Sequence, residues 1–330
     1  MDDQARELER LKKDLEQTID RALTFLLIGR TGVGKSSTVN ALLGETIAPV
    51  GEFMPTTAEV KEYKGIVGGI RFNIVDTPGL CDALPQERKD RRYLKKIAEV
   101  APAVDCVWFV TRLDDTRLSG DEMRAIKLIS NSFEKVWDRA IIVFTRAGSV
   151  SADKYALSLA ERGRLIRNEI AQYIGEKAAQ KIAIVAVENT AETTPDGKSW
   201  LAELFTQVVE RISKNGMVPF MLALAKSVGP KRKKKTEKET RKALAAGADD
   251  DEPNVGSHAG KVQELQKYRI ELDEEQIQRV RIKADGSVIT GLTMAGGAFG
   301  MLFGGPAGSA IGAAAGAAIG IGIWLFGRRS

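Results

Sequence analysis

Residues 29–36, GRTGVGKS, carry the spacing G-x-x-x-x-G-K-[ST]. Gly29, Gly32 and Gly34 let a backbone curl until successive N–H groups point inward. Over Gly29, Arg30, Thr31, Gly32, Val33, Gly34, Lys35, Ser36 and Ser37 such a curl forms a cradle for phosphate oxygens. An apolar run, 23–28, delivers the chain to this loop, and a helix starting near Lys35 adds the positive end of its dipole. The Lys35 ammonium can reach β- and γ-phosphates, and the Ser36 hydroxyl can ligate Mg²⁺. The chemistry implied is nucleoside triphosphate binding.

A second group follows the apolar strand predicted over 70–75. Asp76-Thr77-Pro78-Gly79 places a carboxylate that can hold Mg²⁺ through water and an N–H, that of Gly79, for the γ-phosphate. Between the two groups lies MPTTA, 54–58. A threonine here can close over Mg²⁺ and the γ-phosphate and order its loop; Thr57 is the first choice and Thr56 the alternative. Leu80 stands where Ras-like GTPases carry a glutamine that orients the attacking water, so intrinsic hydrolysis is expected to be slow or to depend on a group supplied elsewhere.

These groups need strands to carry them. Strands are predicted over 23–28, 58–64, 70–75, 103–110, 140–145 and 181–187, each except 58–64 an apolar run. Helices are predicted over 35–43, 86–99, 120–132, 154–176 and 199–213. The alternation predicts an α/β domain, a mostly parallel sheet with helices on both faces and the phosphate loop at the strand carboxyl ends. Ahead of it, Leu8, Leu11, Leu15 and Ile19 give residues 1–22 the stripe of an amphipathic helix.

The base-reading position departs from the commonest pattern. Thr145-Arg146-Ala147-Gly148 stands where most GTPases carry [NT]KxD, and Val187-Glu188-Asn189-Thr190 follows the sixth strand. Together GRTGVGKSSTVNALLGE, DTPGL, the box RLDDTRLSGDEMRAIKLISNSF, TRAG and VENT resemble the septin-related GTPases of the immunity-associated (GIMAP) and chloroplast import-receptor (Toc) family, over about 22–213. The resemblance implies a P-loop GTPase fold, with GTP and GDP as ligands and Mg²⁺ as cofactor. It implies that Arg146 flanks guanine while Glu188 and Asn189 contact the base; a carboxylate accepts the paired N–H groups of guanine, which adenine lacks. It also implies nucleotide-dependent homodimers, G domain to G domain, with Arg117 of the RLDDTRL box reaching toward the partner's nucleotide. Family members are often anchored in a membrane near the C-terminus.

Composition bounds the rest. Of 330 residues one is a histidine and two are cysteines, Cys81 and Cys106, so a multi-histidine metal site and a disulfide framework are both excluded. The net charge of +5 does not argue for nucleic acid. Past the G domain, 23–215, residues 216–285 read as a charged linker with a helix plausible over 261–283 and a basic run, KRKKK, at 231–235. That run lacks interleaved aromatics, which disfavours an RNA- or ribosome-associated reading and favours a solvated linker or attraction to anionic lipid.

Residues 286–327 carry no charge, and Gly308, Gly312, Gly316 and Gly320 recur every fourth position. Residues 307–327 as a helix would span roughly 31 Å, about one hydrocarbon core. Gly304-Gly305-Pro306 predicts a break, giving a hairpin of two helices, with a single span as the alternative. The expectation is a membrane-associated GTPase with its G domain in the cytoplasm. A GTP-binding membrane scaffold with negligible hydrolysis is the competing reading.

Overall fold

The structure is a computed structural model that describes residues 21–50, 60–77, 94–95, 97–99, 103–133, 135–224, 227–230 and 269–283. The expectations for helix 1–22, for Thr56, Thr57, Gly79 and Leu80, for most of helix 86–99, for the basic run and for the tract 286–327 lie outside these residues. Among the described residues no helix is long and apolar enough to cross a membrane.

Five strands run parallel: β1 (Leu23–Ile28), β3 (Ile70–Thr77), β4 (Val104–Arg112), β5 (Ala140–Thr145) and β6 (Ala183–Ala186). With β2 (Lys61–Val67), antiparallel to β3, they form one sheet in the order β2-β3-β1-β4-β5-β6. β1 and β5 keep their predicted bounds, whereas β2 starts three residues later than the sequence pattern suggests. The reason is the turn. Gly68 and Gly69, at φ 54° and 86°, close a two-residue hairpin that pairs Val67 with Ile70 and so sets the register of the whole strand. At β6 the predicted 181–187 shrinks to four residues, because the Ile182 N–H still donates to Ala179 O (3.1 Å) in the preceding turn.

Helices cover both faces. On one, Phe25, Leu27, Phe72, Ile74, Trp108, Val110, Ile141 and Val143 pack against α1 (Lys35–Leu43), α5 (Trp200–Arg211) and α6 (Lys214–Leu224). On the other, Leu26, Ile28, Val75, Phe109, Ile142 and Phe144 meet α2 (Gly120–Ser132) and α3 (Ala152–Ile174). The strands are apolar on both sides because each side is covered. A short helix, α4 (Glu176–Ala179), leads into β6.

The core extends beyond the boundary drawn at 215. α6 buries Met217, Phe220, Met221 and Leu224, and Phe220 stacks on Phe205 at 5.6 Å between ring centroids. Gly216 and Pro219 disguise this element, since each lowers helix propensity. Pro219 falls inside the helix, past its first turn, and removes one i→i−4 hydrogen bond, yet burial of the apolar face decides the outcome. Residues 269–283, expected to be linker with a plausible helix, also return to the body. β8 (Ile270–Leu272) pairs in parallel with β7 (Val228–Pro230), and α7 (Glu274–Lys283) lies on α5. Arg279 there bridges Glu210 (2.9 Å) and Glu203 (3.2 Å).

Candidate functional site

The carboxyl ends of β1, β3, β4, β5 and β6 converge on one edge of the sheet. At β1 the chain turns through Gly29, where a Cβ would lie 2.2 Å from the backbone oxygen of Val110 on β4. Only glycine permits that approach, and it holds the loop against the sheet. The loop ends at Gly34, and α1 begins at Lys35 as predicted.

Lys35 is nearly fully buried, at 5% exposure. Its ammonium donates to the carbonyl oxygens of Gly29 (2.8 Å) and Arg30 (3.0 Å) and stands 3.4 Å from Asp76 Oδ1. That oxygen is buried and, among the described residues, has no hydrogen-bond donor beyond this ion pair. Burial pushes the Asp76 carboxyl above its ordinary range, and the charges of Lys35 and Lys61 oppose the shift without cancelling it. A buried carboxylate oxygen lacking a donor fits a hydrated cation. Ser36, one residue after the lysine, is half-buried at the start of the same helix. Of the metal set predicted from sequence, Ser36 and Asp76 fall on described residues and Thr57 does not. Thr31 and Gly32 are exposed on the loop, Arg30, Gly34 and Ser37 are half-buried, and Val33 is buried.

The base side is built from the loops after β5 and β6. The Thr145 hydroxyl donates to Val33 O (2.6 Å), pinning the phosphate loop to β5. Arg146 follows in the left-handed region, at φ 58°, with its side chain exposed. The Glu188 carboxylate accepts from the backbone N–H of Gly148 (2.7 Å), the N–H of Thr190 (3.1 Å) and the Thr190 hydroxyl (2.5 Å). Burial pushes the Glu188 carboxyl up, but the hydrogen bonds from Thr190 and Gly148, with the charge of Arg146, bring it below the ordinary range. Gly148 matters here, since a Cβ would sit 2.8 Å from Glu188 Oε2. The two loops border an open cleft of about 810 Å³ that includes Arg146, Gly148, Ser151, Glu188, Thr190 and Pro195. A neutral planar ring fits such a cleft, with an ionised carboxylate at its edge and a cation beside it.

Asn189 is not simply a cleft residue. Its side chain is hydrogen-bonded to the Thr38 hydroxyl on α1, so it ties the base side to the phosphate helix. Thr38, Thr145 and Gly148 are the site residues that sequence reasoning did not assign. Gly148 and Thr145 lie inside the TRAG motif, and the motif was the available signal. Thr38 shows no pattern of its own.

Arg117 is exposed on the loop between β4 and α2, and among the described residues it is held by its backbone: its carbonyl accepts from Arg162 (2.9 Å). The same loop adjoins the base side. Leu113 N–H donates to Thr145 O (2.9 Å), and Asp114 lies in the field of Arg146.

Comparison with known proteins agrees with this architecture. The sequence profile of the AIG1 family matches residues 23–240. The chain is 30% identical over 209 residues to translocase of chloroplast 108 from Physcomitrium patens, covering 57% of this chain and 21% of that one. To the translocase of chloroplast 34 homolog from Chlamydomonas reinhardtii it is 31% identical over 213 residues, 58% of this chain and 54% of that one. The chain thus spans about a fifth to a half of these relatives' lengths. A solved structure of a dimerization-deficient mutant of Toc33 from Arabidopsis thaliana superposes with a TM-score of 0.50 at 24% identity, covering 67% of this chain and 91% of that one. The fold is that of a P-loop GTPase.

Proposed function

The chain belongs to the AIG1 family, and from that premise we propose that it binds GTP with Mg²⁺, hydrolyses it slowly, and pairs G domain to G domain as a switch at a membrane. The observation that carries this reading is the Lys35–Asp76 arrangement. A buried ammonium at the mouth of a glycine loop stands 3.4 Å from a carboxylate oxygen that has no other donor among the described residues. Phosphate oxygens supply the negative charge that Lys35 can hold in place of the loop carbonyls. Ser36 and Asp76 are the described residues that would hold Mg²⁺, directly and through water. Held by these residues, Mg²⁺ would supply Lewis-acid stabilisation of negative charge developing on phosphate oxygens.

Guanine is the base that fits the cleft. The Glu188 carboxylate is ionised at neutral pH and oriented by Gly148 and Thr190, and Oε2 accepts one described hydrogen bond. It can therefore accept from a guanine N–H, whereas adenine presents an acceptor at the equivalent ring nitrogen. Arg146 stands beside the same cleft.

Pairing rests on Arg117, exposed on a loop next to the base side. The Toc33 mutant named above is described as dimerization-deficient, so dimerization is a property of that relative. An arginine from a partner would stabilise charge on the transferring phosphoryl group. Membrane attachment rests on residues 286–327, which carry no charge.

The test is the oligomeric state of the full chain in detergent with GDP, with a non-hydrolysable GTP analogue and without nucleotide, alongside GTP turnover at rising protein concentration. Dimers confined to the triphosphate state, with turnover per chain rising as they form, support the switch. Dimers with no turnover support a scaffold. Carbonate-washed membranes should retain the full chain and release a chain ending at Asp285; a full chain that stays soluble without detergent removes the anchor.

A further inference from the structure

We infer that Arg162 is a positioning residue: its buried guanidinium sets the backbone from which Arg117 reaches a second copy of this chain. The inference rests on the pairing proposed for Arg117 above.

Arg162 and Glu122 are each 2% exposed and form an ion pair of 2.9 Å between α3 and α2. One guanidinium nitrogen of Arg162 donates to the Arg117 carbonyl (2.9 Å). A second, Nη2, donates to Glu122 Oε1 (2.9 Å) and to the Thr111 hydroxyl (3.2 Å) at the end of β4, while Nε has no partner among the described residues. The guanidinium also lies over the Phe144 ring, 5.9 Å from its centroid. Glu122 completes the frame from the other end of the loop. Its Oε2 accepts from the Ser119 N–H (2.8 Å), while Ser119 Oγ accepts from the Glu122 N–H (3.2 Å), a capping box that starts α2.

The loop 113–118 is thus fixed at its strand end and, through the Arg117 carbonyl and the Ser119 cap, over the residues that lead into α2. A planar fork is needed to meet acceptors on three elements at once, and a lysine ammonium cannot span them. For stability alone a buried ion pair is a poor choice, because desolvation consumes most of its attraction. Its geometric output is the Arg117 backbone, held from inside while the side chain faces out.

The experiment uses the full chain in detergent with a non-hydrolysable GTP analogue and reads the dimer dissociation constant by sedimentation. Arg162→Lys keeps the positive charge beside Glu122 and loses the fork. It should raise the dimer dissociation constant about as much as Arg117→Ala does, ~10-fold or more. Analogue affinity of dilute Arg162→Lys should change less than about 2-fold, its melting temperature should hold within a few degrees, and amide exchange over 113–118 should quicken. The double variant should dimerise no worse than either single one, since both act through one contact. Thr111→Val removes one acceptor without changing charge and should weaken the dimer a few-fold, which serves if Arg162→Lys does not fold. Additive losses in the double variant overturn the inference. So does normal dimerisation of Arg162→Lys, or of Thr111→Val where Arg162→Lys fails to fold, while Arg117→Ala is impaired. Normal dimerisation of Arg117→Ala overturns the pairing instead.

Discussion

Thr38 and Asn189, 151 residues apart in sequence, share a hydrogen bond between the Thr38 hydroxyl and the Asn189 side chain at 3.0–3.2 Å. It joins the helix that follows the phosphate loop to the loop that follows β6, so the two halves of the nucleotide cleft are braced against each other. Thr38→Val removes the bond without changing shape much. It should weaken guanine nucleotide binding by about 3- to 10-fold, the cost of an unpaired polar group, and Thr38→Ser should restore it. Titration with a fluorescent GTP analogue reads both.

Lys35→Ala removes the cation at the loop mouth and leaves Asp76 without its 3.4 Å partner. Charge-assisted bonds to phosphate are worth about 1.5–3 kcal/mol each, so affinity for GTP and GDP should fall by ~100-fold or more. Calorimetric titration checks it, and undiminished affinity would overturn the phosphate site.

Glu188→Gln places an amide NH₂ where the carboxylate receives Gly148 and Thr190. One of those contacts becomes donor against donor. The preference for GTP over ATP should drop by about 10-fold or more, while Mg²⁺ dependence, which we propose rests on Ser36 and Asp76, stays unchanged. Competition by ATP equal to that by GTP in the unaltered chain would remove guanine from the reading.

Stability should depend on pH through two carboxyls of opposite sign. Burial pushes Glu122 up, but bonds from Thr111 and Ser119 and the charge of Arg162 hold it below its ordinary 4.5. A carboxyl lowered in the native state stabilises the fold above its unfolded value, and that contribution disappears as pH falls through the native one. Asp76 is raised from its ordinary 3.8, so its contribution is present below that value and is lost as pH rises through the native one. Glu122→Gln should therefore cost about 1–3 kcal/mol at pH 7, a gap that closes below pH 4.5. Asp76→Asn should leave the nucleotide-free chain no less stable at pH 7. Urea unfolding across pH 4–7 compares them.

Phe220 is fully buried and packs on Phe25 and Phe205. Phe220→Ala should cost about 3–5 kcal/mol, measured by urea unfolding, although the residue lies beyond the sixth strand and its helix. A loss under 1 kcal/mol would return α6 to a peripheral role.

The phosphate site was legible in the sequence because its chemistry is local. A curled backbone of N–H groups, a lysine and a helix start must be consecutive, so spacing alone identifies Gly29, Gly34, Lys35 and Ser36. The parallel sheet was legible for a related reason: strands covered on both faces must be apolar throughout, as β1 and β5 are. The base side was readable only as motif resemblance, because its atoms come from separate loops. What Glu188 does, holding Gly148 and Thr190 as well as bordering the cleft, follows from the approach of β5 to β6. The brace between Thr38 and Asn189 and the buried fork of Arg162 left no trace in pattern. Arg162 sits on an otherwise charged helix, and its sequence neighbours do not reveal which of those charges turns inward. The end of the domain was hidden as well. Glycine and proline in α6 speak against a helix residue by residue, and only packing on Phe25 and Phe205 outweighs them. Local backbone chemistry is written in consecutive residues; partners that meet across the sheet are chosen by the fold.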